Sequence, residues 1–163
     1  MHASHIIERV LTTDLLHPQL VVIAEDGASD SDLDTAEAQM NCRFSHAFRL
    51  LLKKWNGINL DVIRIYGVGN VSAGISPIHM NQVLLNPEFP SGSYVIGSDP
   101  AGFIYVETPD GKIYTLDHDG GDVEQVAESF DDLFVNVIFG PKAENHFGTD
   151  WLTELRERHI IDA

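Results

Sequence analysis

Carboxylates clustered around glycines suit a hard cation, and the run Asp117-His118-Asp119-Gly120-Gly121-Asp122, with Glu128 at the twelfth place, comes nearest to that chemistry. Calcium takes about six to eight oxygen ligands from such loops, and the sharp turn at the sixth place requires glycine. That place holds Asp122, and a strand rather than a helix is expected before it. The run therefore reads as a solvated turn between a strand and a helix. The histidines (His2, His5, His17, His46, His79, His118, His146 and His159) form no His-Glu-x-x-His and have no cysteine partner at zinc spacing. The serines lack a Gly-x-Ser-x-Gly elbow, and Ser91-Gly92-Ser93 sits in a proline- and glycine-rich stretch with no base near it in sequence. Gly67-Val68-Gly69 begins like a nucleotide fingerprint but lacks the third glycine. Cys42 is the single cysteine, so no intramolecular disulfide is possible, and it reads as a small hydrophobe in a reducing compartment. No constellation names a reaction, and no catalytic residue, metal or cofactor is expected.

The charge is more informative. Twenty-five acids against ten bases give a formal net charge of −15. A phosphate-binding surface needs clustered lysine and arginine, so nucleic acid is not an expected partner. Between Asp99 and Asp132 stand Asp99, Glu107, Asp110, Asp117, Asp119, Asp122, Glu124, Glu128, Asp131 and Asp132, with Lys112 as the single base. Such a one-sign segment either speeds encounter with a basic partner or simply keeps the protein soluble. The first twenty residues carry Glu8, Arg9 and Asp14 and lack the apolar core of a signal peptide. The apolar run Leu20–Ala24 is far short of the roughly 20 residues of a membrane helix. A cytoplasmic protein without membrane contact is expected, and the length of 163 residues suits one domain.

The elements that would position these residues follow from periodicity. Ile6, Ile7, Val10 and Leu11 suggest a short helix, and Leu20–Ala24 a short strand. Glu25–Asp34 reads as an acidic loop entering a helix through a capping box of Ser31 and Asp34, with Leu33, Ala36 and Met40 on its apolar face and Asn41 as its left-handed end. Phe44, Phe48, Leu51, Leu52 and Trp55 make one stripe at helical spacing, with Ser45 as N-cap, Lys53 and Lys54 in the last turn and Asn56-Gly57 as the stop. Full burial of Trp55 would make Trp55→Ala cost about 3–5 kcal/mol. Strands are expected over Val62–Val68, Tyr94–Gly97, Phe103–Glu107 and Ile113–Asp117. A loop holding Pro77, Pro87 and Pro90 follows the first, and Thr108-Pro109-Asp110-Gly111 joins the last two as a hairpin. Ser129 with Asp132 opens a helix burying Phe130, Leu133, Phe134 and Val137. Asp150 caps a last one with Trp151, Leu152 and Leu155 inward and Glu154 paired with Arg158.

Three segments in this order resemble the SUKH superfamily, which takes in the fungal cell-wall-assembly regulator domain and many bacterial immunity proteins. Glu37, Met40-Asn41, Phe44-Ser45 and Trp55-Asn56-Gly57 stand where that family has a helical Glu, a Leu-Gly, a Leu-Pro and an Asn-Gly. Tyr94-Val95-Ile96-Gly97-Ser98-Asp99 with Gly102-Phe103-Ile104-Tyr105-Val106 is similar to its Ile-Gly-x-Asp, Gly and apolar-strand motif. Val126-Ala127-Glu128-Ser129-Phe130 is similar to its Ala-x-Ser-Phe helix opening. Asn41 for Gly and Ser45 for Pro are departures that the left-handed region and helix capping tolerate. The resemblance covers about residues 32–139, with 1–31 and 140–163 as flanks of a single domain spanning 1–163.

It implies an α+β fold, a mainly antiparallel sheet packed by helices, and binding rather than catalysis, in the immunity branch to a toxin, often a nuclease. The matched residues Glu37, Trp55, Asn56, Gly57, Gly97, Gly102, Ser129 and Phe130 look structural. The partner face is expected at Asp99, Asp117, Asp119 and Asp122, meeting a basic toxin domain. A regulatory scaffold of the same fold, binding an endogenous partner, and a hydrolase with a deep pocket are the alternatives. An adjacent toxin gene separates the first two; perturbed acids or histidines lining a pocket would mark the third.

Overall fold

The computed structural model describes His5 and residues 21–23, 26–60, 62–71, 75–117, 119 and 121–157. The helix expected at Ile6 to Leu11 lies outside them, as does Arg158. Among the described residues seven strands form one sheet in chain order with every neighbour antiparallel: β1 (Val21–Ile23), β2 (Ile58–Leu60), β3 (Arg64–Ile65), β4 (Tyr94–Ser98), β5 (Phe103–Glu107), β6 (Ile113–Asp117) and β7 (Val123–Ala127). This is the expected α+β architecture. The hairpin between β5 and β6 closes as its residues require: the Gly111 amide donates to the Thr108 carbonyl at 2.8 Å, the Thr108 amide to the Lys112 carbonyl at 3.0 Å, and Gly111 takes a φ of 86°.

Helix α1 (Asp30–Met40) starts two residues earlier than its expected box. Ser29 is the N-cap: its hydroxyl accepts from the Asp32 amide at 3.0 Å while Asp32 accepts from the Ser29 amide at 3.4 Å. Ser29-Asp30-Ser31-Asp32-Leu33-Asp34 offers the same box in two registers. Tertiary contact selects the first, because the buried Ala28 donates its amide to the Leu52 carbonyl at 2.7 Å and so anchors the entry. At the other end Asn41 is left-handed, φ 51° and ψ 49°, and the Cys42 amide returns to the Glu37 carbonyl. Cys42 is half-buried beside the core, where burial and then Glu37 push its thiol up to about 12. It stays a neutral thiol at physiological pH.

Helix α2 (His46–Lys54) carries the stripe: Phe48, Leu51 and Leu52 have no exposed surface, and the Ser45 hydroxyl caps the Phe48 amide at 3.2 Å. Phe44 and Phe48 meet Tyr94 of β4 at 5.1 and 5.8 Å between ring centroids. Phe48 continues to Phe130 at 5.3 Å, and Phe130 to Phe134 at 5.1 Å. Aromatic rings thus join the helices to one face of the sheet, each pair adding about 0.5–1.5 kcal/mol beyond burial.

Trp55 departs from its expected place. It has left the helix with φ −137°, is half-buried against the core, and lies under the Lys54 ammonium at 5.1 Å from its ring centre. Because part of the ring is already in water, Trp55→Ala should cost about 1–2 kcal/mol, below the full-burial figure. A thermal melt checks this, and a loss as large as a core phenylalanine's would show the ring fully sequestered in solution.

Two strand expectations change. The stretch Val62–Val68 is not one strand; the chain reverses between Leu60 and Arg64, so that Asn59 pairs with Arg64 and β3 then pairs Ile65 with Gly97. The stretch after Asp117 is not merely a turn into a helix, because Val123–Ala127 returns along β6 as β7. The proline-bearing loop also contains a 3-10 helix, Ile78–Leu84. Its Gln82 amide donates to the Val95 carbonyl at 3.0 Å and accepts from the Val95 amide at 2.9 Å. With β3 only two residues long, Gln82 pairs the stretch of β4 beyond β3's reach.

Helix α3 opens at Phe130–Asp132 and continues as a π-helical turn over Leu133–Ile138, burying Phe130, Leu133, Phe134, Val137 and Ile138. The Phe139 amide reaches back five residues to the Phe134 carbonyl, and the Trp151 indole donates to the Ile138 carbonyl at 2.7 Å. Helix α4 (Ala143–Glu157) starts before the expected cap and breaks at Gly148, whose φ is 87°. Beyond the break, Trp151, Leu152 and Leu155 face inward as their spacing requires.

Candidate functional site

The matched motif residues occupy structural junctions. Glu37 links α1 to α2: one carboxylate oxygen accepts from the Phe44 amide at 3.1 Å and the other pairs with the Arg49 guanidinium, which also reaches Asp34 at 3.2 Å. Asn56 is buried and clamps Val68 at both backbone groups, donating from Nδ2 to its carbonyl at 2.8 Å and accepting from its amide at 2.7 Å. Gly57 follows at φ 93°, where a Cβ would meet Ile75 at 2.5 Å. Gly67 and Gly69, beside that clamp, belong to the turn it holds, and a Cβ on Gly67 would stand 2.4 Å from the Asn56 carbonyl.

At Gly97 the constraint is close approach. A β-bulge lies between Val95 and Gly97, and a Cβ would sit 2.1 Å from the Arg64 carbonyl oxygen. Gly102 turns β4 into β5 at φ 94°. Ser129 accepts from the Asp132 amide at 3.0 Å, but Asp132 answers at the Glu128 amide, 2.9 Å, rather than at Ser129 itself. Phe130 lies in the aromatic core.

Strand alternation brings the four acids of the expected partner face to one end of the sheet. The turns after β4 and β6 lie at that end, and Phe103 pairs with Asp117 between them. Asp99 is largely engaged: its Oδ1 accepts from the Ala101 and Phe103 amides at 3.0 and 3.1 Å, and its Oδ2 from the Tyr105 hydroxyl at 2.9 Å. Asp117 accepts from the Asp119 amide at 3.0 Å and donates its own amide to the Asp122 carbonyl at 3.0 Å, closing a compact turn. Asp119 and Asp122 are exposed, Asp117 half-buried. Three carboxylates on one tight turn make a local negative field that a cationic surface would feel. Among the described residues, no group of three or more histidine, cysteine or acidic side chains is arranged to hold a metal.

One acid of the segment is not part of that field. Glu107, paired with Tyr94 and Ile113 across the sheet, points to the helix-covered side and is 1% exposed. The Ser45 and Tyr94 hydroxyls stand near its carboxylate, but neither carboxylate oxygen closes a well-formed hydrogen bond. Burial pushes its carboxyl up to about 7, only partly offset by the nearby Ser45 and Tyr94 hydroxyls. The clue lay in the alternation of β5, which puts Glu107 on the same face as Tyr105; counting it with the surface acids overlooked this. No helix among the described residues is long and apolar enough to cross a membrane.

No curated protein matches this chain. A family model described as the SMI1 / KNR4 family (SUKH-1) matches residues 27–136, from the entry to α1 through β7 and into α3. That span contains the Glu37 link, the Asn56 clamp, the Gly97 bulge and the Ser129 cap, and it covers most of the chain. The chain belongs to the SMI1 / KNR4 (SUKH-1) family, a membership consistent with a protein-binding module.

Proposed function

We propose that the chain is a non-enzymatic immunity protein that neutralises a basic toxin domain, meeting it through the acidic end of the sheet. The observation that carries this reading is the convergence of Asp99, Asp117, Asp119 and Asp122 at two adjacent turns. A nuclease must itself be cationic to hold phosphate, so an acidic surface both attracts it and competes with its substrate. The only acid with a strongly raised pKa among those described, Glu107, lies in the core rather than on a solvent-open wall, which gives no support to hydrolysis.

Co-purification with the product of the neighbouring gene tests the assignment. If the captured partner is a housekeeping protein and no toxin is bound or silenced, the regulatory-scaffold reading replaces it. With the partner in hand, Asp117, Asp119 and Asp122 changed together to Asn should slow association about tenfold at low salt and flatten its salt dependence. Asparagine keeps the side-chain oxygen that accepts the Asp119 amide, so the melting temperature should hardly move. Asp99 is left out because its carboxylate organises the β4–β5 turn. An unaltered on-rate would reduce the charge to a solubility device.

A further inference from the structure

Beside the acidic turn runs an apolar groove. The loop after the 3-10 helix brings Phe89 against Tyr114 of β6, with ring centroids 5.9 Å apart. Tyr114 and Leu116 share a strand face, and Val123 pairs with Leu116, so Val123 stands on that same face of the sheet, 47% exposed. Phe89, Pro109, Tyr114 and Val123 wall a groove of about 490 Å³. At one end Val123 directly follows Asp122 of the acidic turn; at the other stands the Pro109-Asp110 hairpin.

The charge around the groove limits its occupant. Among the described residues its lining includes Glu88 and Asp110 and no cationic side chain. Asp110 is exposed, and the Thr108 hydroxyl and the Lys112 amide hold its carboxyl below the usual range, so it is ionised at neutral pH. A second copy of this chain would bring acid against acid, since each carries −15. A partner segment presenting one large apolar side chain between lysines or arginines satisfies both the walls and the rim.

We infer that this groove is the anchor pocket for the basic protein partner, taking an exposed aromatic or aliphatic side chain flanked by cationic residues. The inference rests on the protein-binding reading above and adds a division of labour. The acidic turn sets the rate of encounter, and the groove sets the lifetime of the complex.

The test uses capped peptides as probes: Lys-Lys-Phe-Lys-Lys, the same peptide with Ala for Phe, and Glu-Glu-Phe-Glu-Glu, each titrated into the full chain while backbone amides are followed by NMR. The first should shift the Tyr114, Val123 and Thr108 amides. The Ala peptide should bind about tenfold more weakly, as expected for losing one buried aromatic side chain. Val123→Gln should weaken the Phe peptide about fivefold while leaving the melting temperature unchanged, because Val123 is half-exposed on an edge strand. Equal binding of the Phe and Ala peptides, with shifts confined to the 99–102 and 117–122 turns, would overturn the groove and leave the acidic-turn reading intact. Groove shifts that persist while the triple Asn variant associates with its toxin at the normal rate would overturn the acidic turn and keep the groove. Equal binding of the acidic peptide would overturn the basic partner, and concentration-dependent dimerisation abolished by Val123→Gln would assign the groove to a second copy instead.

Discussion

Asn56→Ala is expected to lower the unfolding free energy by about 3 kcal/mol, out of all proportion to the few atoms removed. The side chain makes two hydrogen bonds to Val68, and both it and the Val68 backbone are buried. Truncation loses about 1 kcal/mol for each bond, and the larger cost comes from leaving a buried N–H and a buried C=O with no water to replace their partner. Asn56→Asp sharpens the test. An ionised carboxylate can still accept from the Val68 amide but faces the Val68 carbonyl with like charge, so at neutral pH it should be at least as damaging as alanine. Lowering the pH toward about 4 should restore part of the loss relative to Asn56→Ala, because a protonated carboxyl again offers a donor. Urea unfolding of both variants, with the exposed Asn70→Ala as a control expected within about 0.5 kcal/mol of the parent, reads this out. A small loss for Asn56→Ala would mean that water reaches Val68 in solution.

Glu107→Gln is expected to stabilise the protein above neutral pH and to do little in acid. The folded-state pKa is raised from 4.5 to about 7 by burial, so the folded protein holds this proton more tightly than the unfolded chain does. A raised folded pKa means stability that is fully present below about pH 4.5 and is lost as pH climbs through about 7. Above that window the buried carboxylate costs up to about 3 kcal/mol, from the size of the shift. Glutamine keeps the shape and never ionises. The variant and parent should therefore have similar stability near pH 4, diverge through the window, and differ by a constant amount above about pH 8. Denaturant melts of both proteins across that range isolate the effect from the other titrating acids, because those appear in both. Parallel pH profiles would show Glu107 hydrated in solution. Conversely, a Tyr94→Phe variant should enlarge the parent's sensitivity, since the Tyr94 hydroxyl is one of the groups easing the charged form.

The local elements were legible in the sequence because their causes are local. The α2 stripe, the Ser45 cap, the left-handed Asn41, the Thr108–Gly111 hairpin with its two strands, and the buried set on α3 each follow from spacing or from a backbone preference within a few residues. The order of three short motifs carried the family and with it the antiparallel α+β fold. Chain-level charge was legible too, along with the cluster of acids after β6.

What tertiary structure alone decided was which of several locally equivalent choices is used and which side of the sheet each residue serves. Ser29 rather than Ser31 caps α1 because Ala28 is tied to Leu52. Val123–Ala127 is a strand because β6 offers it an edge; its own composition is too polar to declare it. Trp55 leaves its helix because Asn56 must reach Val68 across the fold. Glu107 and Asp110, three residues apart, end as a buried carboxyl and an exposed one because Glu107 lies on a strand beneath the helices and Asp110 on a hairpin tip. The groove beside Val123 joins a loop, a hairpin and two strands, and no pattern running along a single segment encodes it. Sequence patterns report what neighbours in the chain require of one another, whereas burial, pairing and charge environment are set by residues that meet only once the sheet has formed.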